Sequence, residues 1–448
     1  MKRELALGLD IGTTKICVIV INNENGKLVD KKVVINESNI KGETYYHLQS
    51  AETILSLCKE SIDYFIQKYG VDAFSSLGIT GQMHGVLYVN NDGKCISPLI
   101  TWQDRRAEIF ENGINAIQEI YNRTGKYVPA GYGLATHFYN KCHNMVPKDI
   151  AKICTIHSFV AMTLTNTKKP VMHVSDCHSF GLYDSETDGW DFSSIALLGI
   201  SEDILPKIVS NPFIIGNYKG ISVCVAIGDN QASFIGSVKS FDSLLINIGT
   251  GAQVSVLADN EDKHNIEIRP LSGKYLIAVG CSLAGGLAYE TLKNFFRDVY
   301  KMANLIPPEN IYECMNKTGE LNDNAPLFDT RFIGTRKNPE IRGSIENLGI
   351  HNFTAANFIY GVLKGIANEL YSLYKQLNVD VDKIVGSGNA IRKNPLLRKI
   401  IEETFQMQLK IPINDEEAAF GAAIYGIVAS KRFPDISSAV KSLVHLEN

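Results

Sequence analysis

No cysteine of this chain sits in a C-x-x-C pair, no apolar run approaches membrane-spanning length, and no charge of one sign dominates. Each absence removes a class of protein. The nine cysteines are scattered and odd in number, which reads as reduced thiols rather than a disulfide framework. Cys142-His143, Cys154-x-x-His157 and Cys177-His178 lack the second matching pair that a zinc site needs. A net charge of −4 provides no broad basic surface, so nucleic acid is not an expected partner, and neither is a membrane. Charge precedes apolar residues at Met1 to Leu9, but Asp10 interrupts too early for a secretory signal. Together with the thiols, this gives a cytoplasmic expectation. Also missing are the Walker pattern G-x-x-x-x-G-K-[ST] and a G-x-G-x-x-G opening the first helix, which excludes P-loop and Rossmann nucleotide sites.

What the chain does contain is a repeat. Leu7-Gly-Leu-Asp10-Ile-Gly12-Thr13-Thr14-Lys15 returns as Leu245-Ile-Asn247-Ile-Gly249-Thr250-Gly251, and pairing Asp10 with Asn247 and Gly12 with Gly249 gives one offset of 237 residues. At 448 residues the chain exceeds one ordinary core, so the repeat predicts two related α/β domains, 1–237 and 238–448. Each copy reads as a buried strand, a glycine turn with hydroxyls, and a second strand, Ile16 to Val20 and Val254 to Leu257. Such turns let backbone N–H groups approach an anion, and two of them suit a phosphate chain. A plain hairpin turn would explain either copy taken alone. Only the first copy carries a carboxylate, Asp10, where a divalent cation would bind directly or through water.

Periodicity predicts a helix over Ala51 to Lys68, with Ile54, Leu55, Cys58, Ile62, Phe65 and Ile66 on one face. A buried strand at 77–80 follows, leading to Gly81-Gln82-Met83-His84-Gly85, and a later strand ends in Thr101-Trp102-Gln103-Asp104-Arg105-Arg106. From about 107 to 215 the chain reads as mostly helical. Val223 to Ile227 then forms a strand that delivers Gly228-Asp229-Asn230-Gln231 to a helix, a place where open α/β sheets bind ligands. Near the C-terminus a βαβ unit runs from Lys383 through Gly386-Ser-Gly388 and Asn394-Pro395 to a return strand at 408–413. A helix rich in small residues follows at 417–429.

Asp229 follows a glycine at a strand end and is a candidate proton acceptor for a substrate hydroxyl, with helix capping as its structural alternative. Met83, His84, Trp102 and Asp104 follow adjacent strands and supply the mixed donors, acceptors and apolar plane that a polyhydroxyl ligand needs. Read structurally, Trp102 is core, His84 a turn residue, and Arg105 the ion-pair partner of Asp104. Gly286 and Gly388 lie in glycine-rich segments that leave room for a flat base. With Asp10, the clasps at Gly12 to Thr14 and Gly249 to Gly251, and Asp229, these residues describe phosphoryl transfer from ATP.

The same residues resemble the FGGY carbohydrate kinases, within the actin, Hsp70 and hexokinase superfamily of duplicated ribonuclease-H-like domains. The likeness runs through D-I-G-T-T at 10–14, G-Q-M-H-G at 81–85, T-W-Q-D-R-R at 101–106, G-D-N-Q-A at 228–232, I-G-T-G at 248–251, and G-S-G-N at 386–389 with A-A-F-G-A-A at 418–423. It implies two such domains around an interdomain cleft, the first holding sugar and catalytic base and the second holding nucleotide. Asp229 is then the base. Met83, His84, Trp102 and Asp104 border the sugar, ATP lies across Gly12, Thr13, Thr14, Lys15, Gly249, Thr250, Gly286 and Gly388, and Asp10 assists Mg²⁺. The Met-His pair resembles that of ketose kinases, where glycerol kinases have Arg-Glu. The motif combination is most similar to members that phosphorylate sedoheptulose at its terminal hydroxyl, although Ser158 stands where those have Asp. A pentulose kinase is the near alternative, an actin- or Hsp70-like ATPase without a sugar substrate the distant one, and a homodimer is left open.

Overall fold

The computed structural model describes residues 3–258, 267–319, 324–336 and 338–447, and the chain divides into two compact units. Unit 1 comprises Met1–Gly236, Pro270–Tyr275 and Glu416–Val444; unit 2 comprises Ser237–Arg269, Leu276–Asp415 and His445–Asn448. These units differ from the simple division at 237/238. The helix Glu417–Ala429 belongs to unit 1, for a steric reason given below.

In unit 1 the main sheet runs in the order Ile214–Tyr218, Ile221–Cys224, Phe74–Gly81, Leu5–Ile11, Lys15–Asn22, Leu28–Ile35, with Ile227–Gly228 also pairing with Phe74–Gly81. Leu5–Ile11 forms an antiparallel hairpin with Lys15–Asn22 and lies parallel to Phe74–Gly81. Its central strands are buried almost throughout, as expected where both faces of a sheet are covered. Leu28–Ile35 alternates between half-buried and exposed, the pattern of an edge strand. The predicted helix is Ala51–Tyr69. It opens on Ser50, whose hydroxyl accepts the Thr53 N–H, stops at Gly70 with φ +82°, and buries Ile54, Cys58, Ile62 and Phe65.

Unit 2 repeats the plan. Ser243–Ile248 makes an antiparallel hairpin with Ala252–Ala258 and lies parallel to Lys383–Ser387, with the Asn247 amide donating to the Ser387 hydroxyl at 2.7 Å. The 23-residue helix Ala355–Leu377, capped by Thr354, contributes buried residues to the same core as Pro395–Phe405. The return strand is shorter than expected, only Leu409–Lys410. The stretch 107–215 holds five α-helices, and between them lie short strands that propensity alone did not reveal.

Glu417–Ala429 approaches its neighbours closely enough to exclude side chains. A Cβ on Gly8 would lie 2.0 Å from the Ala419 carbonyl oxygen, and one on Gly78 would lie 1.7 Å from that of Ala422. On another side, a Cβ on Gly421 would lie 1.8 Å from the oxygen of Ala232, and one on Gly236 would lie 2.0 Å from that of Glu417. The helix is thus seated directly on the backbones of two central strands and of helix Asp229–Ser237. Gly78→Ala is expected to force these backbones apart and cost about 1–3 kcal/mol, read as a lowered urea midpoint with unchanged slope.

Candidate active site

The first glycine turn is wired to its surroundings through Thr13. Its hydroxyl accepts the Trp102 indole N–H at 3.0 Å and donates to the Gln82 side-chain carbonyl at 3.3 Å. The Gln82 amide donates to Gln49 at 2.8 Å, and the Gln49 amide returns to the Thr13 backbone carbonyl at 2.9 Å. A closed ring of directed hydrogen bonds therefore fixes the turn. Trp102, 43% exposed, is not core: its ring edge is anchored while much of its surface stays open to solvent. Because the Thr13 proton is committed to Gln82, the turn's outward donors lie at exposed Thr14 and at Lys15, whose ammonium pairs with Glu416 at 2.8 Å.

Asp10 lies on strand Leu5–Ile11 at the entrance to this turn. Its carboxyl is pushed from 3.8 to about 7, first by burial and next by the charge of Asp229; Glu416 adds to the rise, while Lys15 and His157 oppose it. The charge of a second acid close by disfavours the ionised form of Asp10. Asp229 is the first residue of helix Asp229–Ser237 and directly follows strand Ile227–Gly228. Met83 is buried against that bend, its terminal methyl 2.5 Å from where a Gly228 Cβ would be. Any larger residue at 228 would displace Met83.

His84 adopts φ +72°, a left-handed conformation uncommon for a non-glycine residue and of the kind that clusters at functional sites. Its Nδ1 lies 2.8 Å from the Ser179 carbonyl, which can only accept, so the proton is on Nδ1. Its ring stacks on Tyr132 at 4.3 Å and 17°.

Asp104 has a different role from its neighbours. It is buried, with both oxygens engaged: Arg106 contacts them at 2.8 and 3.0 Å, and the backbone N–H groups of Arg106 and His47 add bonds of 3.1 and 3.0 Å. The ion-pair partner is therefore Arg106, not Arg105, which instead meets Glu108 in the open. Arg106 continues to Asn140 and lies over the Tyr46 ring. Little of Asp104 is left to meet a ligand.

In unit 2, a cavity of about 460 Å³ is lined by Gly249, Thr250, Gly286, Tyr289, Tyr312, Asn316 and Lys393, among others. Tyr289 and Tyr312 stack at 5.7 Å, and the Tyr289 hydroxyl donates to Asn316 at 2.8 Å. Gly286 and Gly388 each have a packing reason to be glycine. A Cβ at 286 would lie 2.2 Å from the Gly249 oxygen, and one at 388, where φ is +87°, would lie 2.4 Å from that of Ile248. Gly286 still borders the cavity, while Gly388 is not among its lining residues. The aromatic pair and Asn316 went unnoticed in the sequence because no motif surrounds them.

Among the described residues, no group of three or more His, Cys, Asp and Glu gathers as a metal site. Mg²⁺ suits such sparseness, since it takes one or two carboxylates and completes its shell with phosphate oxygens and water. Asp10, a hard oxygen donor crowded by negative charge, fits that role. Among the same residues, no helix is long and apolar enough to cross a membrane.

The FGGY family of carbohydrate kinases matches over nearly the whole chain, its N-terminal domain at residues 5–238 and its C-terminal domain at 244–430. A Mus musculus sedoheptulokinase is 23% identical over 94% of this chain and 97% of its own. A xylulose kinase of Staphylococcus epidermidis is 25% identical over 100% and 92%. Among solved structures, Plasmodium falciparum glycerol kinase with ADP superposes with a TM-score of 0.81 at 18% identity, covering 99% of this chain and 93% of that one. The chain belongs to the FGGY family of carbohydrate kinases, has the family's two-domain fold, and is an enzyme that phosphorylates a carbohydrate with ATP.

Two outcomes follow from the site's electrostatics. Asp104→Ala strands the Arg106 charge in the interior and is expected to cost about 3–5 kcal/mol, visible as a large fall in thermal midpoint. Asp10 binds its proton more tightly folded than unfolded, so its contribution to stability is present below its unfolded value of 3.8 and is lost as pH rises through about 7. Asp10→Asn should match the wild-type urea midpoint near pH 4 and exceed it near pH 8, in protein free of nucleotide and metal.

Proposed function

We propose that this kinase transfers the γ-phosphoryl group of ATP to the terminal hydroxyl of sedoheptulose, with Asp229 as general base. The carrying observation is the pair of neighbouring acids: the Asp10 carboxyl is pushed up to about 7, first by burial and next by the charge of Asp229 at the head of helix Asp229–Ser237. Two acids side by side support distinct roles, Asp229 accepting a proton and Asp10 meeting a cation. In this reading Asp229 takes the proton of the sugar hydroxyl, the oxygen attacks the γ-phosphorus in line, and ADP leaves. His84, Trp102 and Met83 border the sugar, with the anchored Trp102 face supplying an apolar plane. Asp104 acts beneath them by holding Arg106. The cavity at Thr250, Gly286, Tyr289 and Tyr312 takes base and ribose, and each glycine turn, Gly12–Lys15 in unit 1 and Gly249–Thr250 in unit 2, is by itself suited to phosphate. Mg²⁺ held at Asp10 with the nucleotide supplies neutralisation of phosphate charge.

The choice of a heptulose rests on the sequence motifs and on similarity to the mouse protein over 94% of this chain and 97% of that one. The xylulose kinase of S. epidermidis, at 25% identity, supports a pentulose as the second reading. The nine free thiols, two of them exposed, fit a reducing compartment, and we place the enzyme in the cytoplasm.

ADP formation against sedoheptulose, xylulose, ribulose, gluconate and glycerol separates the readings. Highest kcat/KM for sedoheptulose is expected; preference for xylulose moves the substrate to a pentulose, and turnover without sugar returns the chain to ATPases of the actin or Hsp70 kind. Asp229→Ala should lower kcat by about 10²–10⁴ while nucleotide affinity stays near wild type.

A further inference from the structure

Behind the bend that presents Asp229 lies a buried polar chain that none of the sequence motifs includes. The strand Ile227–Gly228 is only two residues long and pairs with Phe74–Gly81 alone, and side chains add to the fixation of its last peptide. On one side the Thr80 hydroxyl donates to the Ile227 carbonyl at 2.7 Å. On the other, the Gly228 N–H donates to the Ser175 hydroxyl oxygen at 3.0 Å. Ser175 and His173 are both completely buried.

The direction of each bond follows from chemistry. His173 Nε2 lies 3.1 Å from the Ser210 carbonyl, which can only accept, so Nε2 carries the proton. In the neutral ring Nδ1 is then an acceptor, and it takes the Ser175 backbone N–H at 3.2 Å and the Ser175 hydroxyl proton at 2.8 Å. With its own proton directed at His173, the hydroxyl offers a lone pair to Gly228. A charged ring or the other tautomer would break the chain. Burial depresses the His173 pKa to about 4, which keeps the ring neutral. The next residue, Asp176, faces His157 at 2.9 Å, both wholly buried, and ties the same turn of helix Val174–Phe180 to helix Ile156–Leu164.

We propose that His173 and Ser175 are positioning residues for the reaction: a one-way relay, Gly228 N–H to Ser175 to His173 to the Ser210 carbonyl, fixes the peptide that aims Asp229. The inference rests on Asp229 being the base. Neither side chain touches substrate. Their effect is geometric, since a base displaced by about 1 Å loses up to about a hundredfold in rate.

The test is a double-mutant cycle in the full-length enzyme with ATP and its best sugar. Ser175→Ala is expected to lower kcat about tenfold or more, with KM for ATP close to wild type and a lowered thermal midpoint from the unpaired Gly228 N–H, and Ser175→Thr, which keeps the hydroxyl, to recover most of both losses. On an Asp229→Ala background, Ser175→Ala should cost nothing further. Wild-type kcat in Ser175→Ala beside an impaired Asp229→Ala overturns the relay and leaves the base standing. An equal loss on both backgrounds also overturns it. Wild-type kcat in Asp229→Ala instead overturns the base reading itself. If Ser175→Ala fails to fold, His173→Asn, which keeps an acceptor toward Ser175 but loses the tether to Ser210, takes its place in the same cycle.

Discussion

Backbone-to-backbone contact around the helix Glu417–Ala429 is the constraint on which unit 1 depends. Gly8 and Gly78 let that helix rest on the two central strands, and Gly236 and Gly421 let it touch the helix that begins at Asp229. The functional residues inherit their positions from this layer. Asp10 is two residues beyond Gly8 on the same strand, Gln82 to His84 follow the strand that contains Gly78, and Glu416, immediately before the helix, meets Lys15 beyond the first glycine turn. A single missing atom at each of four positions thus sets the registry of helix, sheet and site together, and the absence of side chains there is as specific as any contact elsewhere.

The duplication was legible because it lives in local patterns. A buried strand, a glycine turn and a second strand recur at one offset, and both copies fold as an antiparallel hairpin beside a parallel neighbour. The face of Ala51–Tyr69 and the cap at Asn394-Pro395 were equally readable, since capping and amphipathic spacing act within a few residues. What escaped was whatever tertiary packing decides. Gln49 completes the ring around Thr13 from a two-residue strand with no motif of its own. The partner of Asp104 is Arg106 rather than Arg105, a distinction decided by which of two adjacent guanidiniums turns inward. The return of Glu417–Ala429 to unit 1 required knowing that four glycines in four different segments face one another's backbones.

The two copies of the turn have diverged in the way that separates structure from chemistry. In the second, Asn247 uses its amide to join adjacent parallel strands through Ser387, a neutral bond with no titratable proton. In the first, the equivalent Asp10 has a pKa raised to about 7 by burial and a second acid. One scaffold therefore carries a lock in one place and a strained charge in the other. Thr13 shows the same economy, its hydroxyl serving both the indole of Trp102 and the amide of Gln82. The Trp102 ring and the glycine turn cannot shift independently.

That unit 1 recruits Glu416–Val444 also has a consequence for the order in which the protein matures. The strands Leu5–Ile11 and Phe74–Gly81 emerge early in synthesis, yet the helix that covers them emerges more than three hundred residues later. At about 5–20 residues per second on the ribosome, the interval between Gly78 and Gly426 lasts on the order of tens of seconds. During that time the amino-terminal sheet lacks one of its faces, while the long middle segments of unit 2 are already complete. The segment that closes the sheet of unit 1 is thus made only after most of unit 2.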